Sequence, residues 1–169
     1  MTPATDAVDA VDLGRIEEDL RELIRIPSIT GSEEAVQDAI ETLFEEIGVE
    51  TKRIVTDPVA FAADPDFPGS EMPRTSLPIV TGRLGREGGR RVLLVGHVDV
   101  VPTGDLATWS VDPWGGEVRD GRMYGRGACD MKGGVVAILA AVRALVVSGA
   151  ANDLAGELLV VSVPSEEDG

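Results

Sequence analysis

Residues 91–99 read RVLLVGHVD, and how this stretch is read decides the fold. Residues 92–95 form a continuous apolar run, the pattern of a strand buried on both faces of an α/β sheet. The run stops at Gly96, and His97, the chain's single histidine, follows at once. Two other segments join apolar residues to acidic ones. Residues 125–134 read GRGACDMKGG, and residues 158–169 read LLVVSVPSEEDG. Ligands of open α/β sheets bind beyond the carboxyl ends of strands. His97, Asp130 and the pair Glu166-Glu167 are therefore expected to meet at one sheet edge.

Composition narrows the function classes. A chain of 169 residues is one domain with a real core, or part of a larger one. Its 43% hydrophobic content excludes a disordered chain. The net charge of −15 argues against a nucleic-acid surface and against anionic membranes. Cys129 is the only cysteine, so no internal disulfide forms. The opening MTPATDAVDAVD lacks the apolar core of a secretion signal. The longest apolar stretch, 135–147, contains Arg143 and is too short to span a bilayer. A cytoplasmic protein is expected.

Residues 1–11 read as a frayed, disordered tail. Asp12 is placed to cap a helix with Leu13, Ile16, Leu20, Leu23 and Ile24 at helical spacing, ended by Pro27. Thr30 with Glu33 fits a capping box for a second helix, with Ser32 as a rival cap and Gly48 as its stop. Residues 49–55 alternate as a strand. Residues 57–78 carry five prolines and read as a long surface loop. Residues 79–84 form a strand that should pair with 91–97 as an antiparallel hairpin, turned at Arg86-Glu87-Gly88-Gly89. Residues 117–124 suggest a short hairpin folded at Asp120-Gly121. Residues 131–147 predict a buried helix closed by Gly149, and 157–163 a further buried strand. The expected fold is a mixed, mostly parallel α/β sheet with helices on both faces.

An imidazole with hard carboxylates suits zinc, and also cobalt or manganese. Asp99, two residues after His97, is placed to accept the other imidazole N–H and fix the tautomer. Of two adjacent glutamates, one is free to take a proton from water while its neighbour holds metal. Taken singly, each residue has a plainer reading. Asp130 would cap the following helix, Glu166-Glu167-Asp168 would be a solvated turn, and Cys129 a small buried filler. Trp109 and Trp114 would be packing residues.

Together the segments resemble the metallohydrolase family of acetylornithine deacetylase, succinyl-diaminopimelate desuccinylase, aminoacylase and carboxypeptidase G. The matching stretches are GHVDVVP (96–102), WSVDPWGGEVRDGRMYGRGACDMKGG (109–134) and PSEEDG (164–169), with the earlier IPSITGSE. The resemblance implies a zinc-exopeptidase-like fold and two divalent metal ions, zinc before cobalt or manganese. It implies that His97 ligates one metal, Asp130 bridges both, and Glu167 ligates the second. Glu166 would be the general base and Asp99 the residue orienting His97. The implied reaction is hydrolysis of the amide bond of an N-acyl amino acid or small peptide. In this family the catalytic domain continues past such a segment, with a further carboxylate, a late histidine and a lid domain that dimerises. Residues 12–169 are thus expected to be the N-terminal portion of a catalytic domain, inactive alone, whose parent is a homodimer.

Three rival readings stay open or weaken. A dipeptidase or carboxypeptidase of the same family differs in substrate alone. A non-catalytic metal-binding module has no need of Glu166 beside the ligands. Nucleotide binding fits poorly, because GRGACDMKGG lacks the phosphate-loop spacings and Asp130 would repel phosphate.

Overall fold

The computed structural model describes residues 3–67, 69–70 and 72–168. Met1 and Thr2 of the expected tail, and Pro68 of the proline-rich segment, lie outside the described residues. Five helices and six strands appear within them. The helices are α1 (Pro3–Asp9), α2 (Leu13–Arg25), α3 (Glu34–Ile47), α4 (Pro58–Ala62) and α5 (Gly133–Val147). The strands are β1 (Glu50–Thr56), β2 (Leu77–Gly85), β3 (Arg91–His97), β4 (Glu117–Arg119), β5 (Arg122–Tyr124) and β6 (Glu157–Val163).

Local chemistry sets most boundaries. The Asp12 side chain accepts the Arg15 N–H and starts α2. Gly48 takes φ 83° and ends α3. Asp120 and Gly121 both have positive φ, as a two-residue hairpin turn between β4 and β5 requires. Within the proline-rich segment, Asp57 caps the short helix α4 by accepting the Val59 N–H. The expected tail is not frayed over its described part. Residues 3–9 are helical, and Ala7 is buried.

β1, β2, β6 and β3 form one sheet in that order. This corrects two expectations. β2 and β3 do not pair; β6 lies between them, antiparallel to β2 and parallel to β3. The sheet is therefore mixed but not mostly parallel, since only the β3–β6 pairing is parallel. The glycine-bearing segment after β2 explains the insertion. It straddles the entrance of β6: the Arg86 N–H donates to the Gly156 carbonyl and the Glu157 N–H to the Arg90 carbonyl. A Cβ on Gly89 would sit 1.9 Å from the Ala155 carbonyl oxygen, so only glycine lets the β6 backbone pass.

Helices on both faces are not what the described residues show. α3 and α5 cover one face, and α2 packs on α5. On the other face Leu93 and Val95 are 55% and 47% exposed. Strand alternation supplies apolar residues to both faces, but these elements cover only one. Between sheet and helices lies a core of Leu23, Val36, Ile40, Phe44, Val80, Val136, Leu139 and Val160. Full burial of each large apolar side chain here contributes about 1.5–3 kcal/mol. Arg143, the charge inside apolar α5, pairs with buried Asp19 of α2 at 2.8 Å, and Arg15 closes on the same carboxylate at 2.6 Å.

Gly96 explains itself in this packing. A Cβ there would lie 2.8 Å from Val135 Cγ2 at the start of α5. The β-branched Val135 has little rotamer freedom to retreat. Gly96→Val is therefore expected to destabilise the fold by about 1–3 kcal/mol, read as a lower urea midpoint; an unchanged midpoint would refute this packing account.

Candidate metal centre

His97 is the last residue of β3, and its Cα partner across the parallel pairing is Val163, the last residue of β6. That register brings the segment after β6, Pro164 to Asp168, directly beside the histidine. Asp130 arrives from the irregular turn Ala128–Lys132, which precedes α5 and in which Asp130 is extended rather than helical. It does not cap α5. The helix begins at Gly133, so the expected start at residue 131 falls two residues early.

One donor atom each of His97, Asp130 and Glu167 lies within 4.8 Å of the other two. His97 is buried, Glu167 half-buried and Asp130 exposed. The His97 Nε2 atom is 3.1 Å from Asp130 Oδ1 and 3.8 Å from Glu166 Oε2. Its Nδ1 atom is 3.0 Å from the Asp99 backbone carbonyl and 3.5 Å from Asp99 Oδ1. The nearer partner of the imidazole is thus the backbone of Asp99, not its carboxylate. Nδ1 carries a proton toward that carbonyl, the tautomer this hydrogen bond assigns.

The Asp99 carboxylate is fully buried and does a different task. It accepts the Glu166 N–H on Oδ1 and the Glu167 N–H on Oδ2, each at 3.1 Å. It also accepts the Thr30 hydroxyl at 3.1 Å. This corrects the capping box: Thr30 is engaged by Asp99, and the Glu33 carboxylate takes the Gly31 N–H instead of capping α3. Ser165 holds a positive φ of 66° just before the glutamate pair. Burial pushes the Glu167 carboxyl up, and Asp130 pushes the same way, with His97 opposing.

Residues the sequence left unassigned support this arrangement. Lys132 is fully buried, and its ammonium donates to the Leu23 and Ile26 carbonyls at 2.8 and 2.9 Å. It ties the Asp130 turn to the C-terminal end of α2, where a cation also suits the helix dipole. Burial pushes its pKa down to about 8. Its one sequence signal is a lysine set inside a glycine-rich, acidic turn. Arg126 stacks over the Trp109 ring at 5.2 Å and lines the same cavity of about 260 Å³ as Asp130 and Glu167. Trp109 is thus a platform for a cation as well as a packing residue. Cys129, expected as a buried filler, is exposed in that cavity.

Comparison with known proteins sets this geometry in a family. Residues 93–169 match peptidase family M20/M25/M40. The succinyl-diaminopimelate desuccinylase of Rhodospirillum centenum is 43% identical over 122 residues, which cover 72% of this chain and 28% of that protein. That of Methylocella silvestris is 39% identical over 132 residues, covering 78% of this chain and 30% of the relative. The chain thus spans less than a third of these relatives' length. Human carnosine dipeptidase 1 superposes with a TM-score of 0.76 at 24% identity, over 100% of this chain and 36% of that one. The di-peptidase Dug1p of Saccharomyces cerevisiae does so with a TM-score of 0.74 at 23% identity, with the same coverage. Both likenesses speak to fold alone. Residues 93–169, which carry His97, Asp130 and the Glu166-Glu167 pair, are thus similar to peptidase family M20/M25/M40.

Proposed function

We propose that these residues form the metal-and-base part of a hydrolase that cleaves the amide bond of N-acyl amino acids. One observation carries the reading. With Nδ1 donating to Asp99, His97 Nε2 presents a lone pair, yet it faces the Asp130 carboxylate oxygen at 3.1 Å. Two acceptors at that distance repel unless a proton or a metal ion lies between them. A nearby Glu167 oxygen makes the donor set that of a hard or borderline divalent ion.

In this reading His97, Asp130 and Glu167 would be the protein ligands of the zinc ions, His97 for one, Glu167 for the other and Asp130 for both. Cobalt and manganese suit the same donors. Bound zinc would lower the pKa of a shared water and polarise the scissile carbonyl. Asp99 sets the geometry twice, through its carbonyl on the imidazole and its carboxylate on the glutamate backbone. Glu166, whose side chain is 62% exposed, keeps its carboxylate free beside the group. It takes the proton of the attacking water and delivers it to the departing amine.

The named relatives favour a deacylase over a dipeptidase. Those at 39–43% identity are desuccinylases. Among the described residues, three protein donors shared by two ions fall short of the three that each catalytic zinc takes. Turnover and a homodimeric state are therefore proposed for a longer chain that carries these residues, with little activity in the 169 residues alone. Among the described residues no helix is long and apolar enough to cross a membrane. A cytoplasmic setting suits the lone thiol, Cys129.

The metal reading is tested on the 169-residue chain by competition with a chromophoric zinc chelator. His97→Ala is expected to abolish specific zinc uptake, and Asp99→Asn to weaken it by about 10–100-fold. Uptake unaffected by His97→Ala would sink the site. Catalysis is tested in the longer chain with N-succinyl and N-acetyl amino acids. Glu166→Gln is expected to lower kcat by about 10²–10⁴-fold while the zinc content, read by elemental analysis, stays the same. A variant that keeps full turnover would exclude Glu166 as the base.

A further inference from the structure

A second cavity lies apart from the candidate metal centre. It has a volume of about 670 Å³ and lies between the proline-rich segment after β1 and the turn after β6. β1 and β6 run in the same direction, so this cavity opens at the sheet edge where His97 sits. Val59, Ala62, Phe67 and Leu77 give it apolar walls. Its polar end is lined by Ser70, Arg74, Ser165 and the Asp168 carboxylate.

That end is unusual in its hydrogen bonding. Among the described residues, five buried side-chain nitrogen or oxygen atoms lack a partner, and three of them are Arg74 Nε, Arg74 Nη1 and Ser165 Oγ. Their clustering beside one cavity points to a ligand, because each buried donor left unmet costs about 1–3 kcal/mol. The Arg74 side chain is only 5% exposed and is built in rather than loose. Its Nη2 donates to Asp168 at 2.7 Å, and Asp168 also accepts the Met72 N–H at 3.1 Å and the Ser70 hydroxyl. Glu33 lies 3.6 Å from Nη1.

Two carboxylates already surround the one guanidinium, so a third would meet repulsion in buried surroundings. A cationic group would leave the donors unmet. We infer that this cavity binds an uncharged apolar group bearing an amide carbonyl, which accepts from Arg74 and Ser165 while its aliphatic part fills the walls. A small closing movement must bring the occluded donors onto the carbonyl. Ser165 directly precedes Glu166, so the cavity is the subsite for the group flanking the scissile amide. That last placement alone rests on the hydrolase reading.

The test uses metal-free, isotope-labelled 169-residue protein titrated with N-acetyl-leucinamide and followed by nuclear magnetic resonance. Saturable shifts of the Arg74 Nε–H and of the Ser70 and Met72 amides are expected. Ser165→Ala should raise Kd by about 3–10-fold. Ala62→Trp, on the exposed helix α4, should remove binding. Both variants should keep the parent's unfolding midpoint. Absent saturation, or unaltered binding by Ala62→Trp, would overturn the inference. Because no metal is used, that failure is separate from failure of the zinc reading.

Discussion

The buried carboxylate of Asp99 joins what the chain keeps apart. It collects the Thr30 hydroxyl from before α3 and the Glu166 and Glu167 amides from after β6, and its own carbonyl holds His97 at the end of β3. A fully buried anion is tolerable only when such donors surround it. The same need fixes the turn after β6 against the histidine. Folding therefore cannot bury Asp99 without also bringing the Glu166-Glu167 turn to His97. Fold stability and site geometry are coupled through one side chain.

The parallel pairing of β6 with β3 makes that assembly possible. His97 and Val163 are Cα partners, so two strands from distant parts of the chain release their acidic turns side by side. α5 then packs over Gly96, and its start delivers the Asp130 turn to the same edge. Lys132 locks that turn to the end of α2 through two carbonyls. Each donor of the cluster thus comes from the end of a different element, and no single loop could have carried all three. A second set of buried contacts, Arg74 with Asp168 and with Glu33, ties the proline-rich segment to the turn after β6 and frames the neighbouring cavity.

Much of this was legible residue by residue. Asp12, Gly48 and Asp120-Gly121 set their boundaries through local hydrogen bonding and backbone freedom, which depend on near neighbours only. The strand ending in His97, the acidic pair after residues 157–163 and the glycine-rich turn at Asp130 were likewise plain in the letters. Thr30 was misread because its local partner, the α3 N-terminus, loses to a distant one, Asp99. The β2–β3 hairpin was misread for a similar reason. A short glycine-bearing link normally joins neighbouring strands, but here it wraps around the incoming backbone of residues 155–157.

Sequence alone determined the elements other than α1 and α4, the three chemical segments and the kind of chemistry their side chains suit. Periodicity, caps and residue type act over a few positions and leave their mark in the letters. Tertiary structure alone decided the strand order, the single helix-covered face, and the division of labour within Asp99 between carbonyl and carboxylate. It also decided which buried donors, at Arg74 and Ser165, end up without partners. These depend on which distant backbones meet, and close packing admits one such arrangement where local rules admit several.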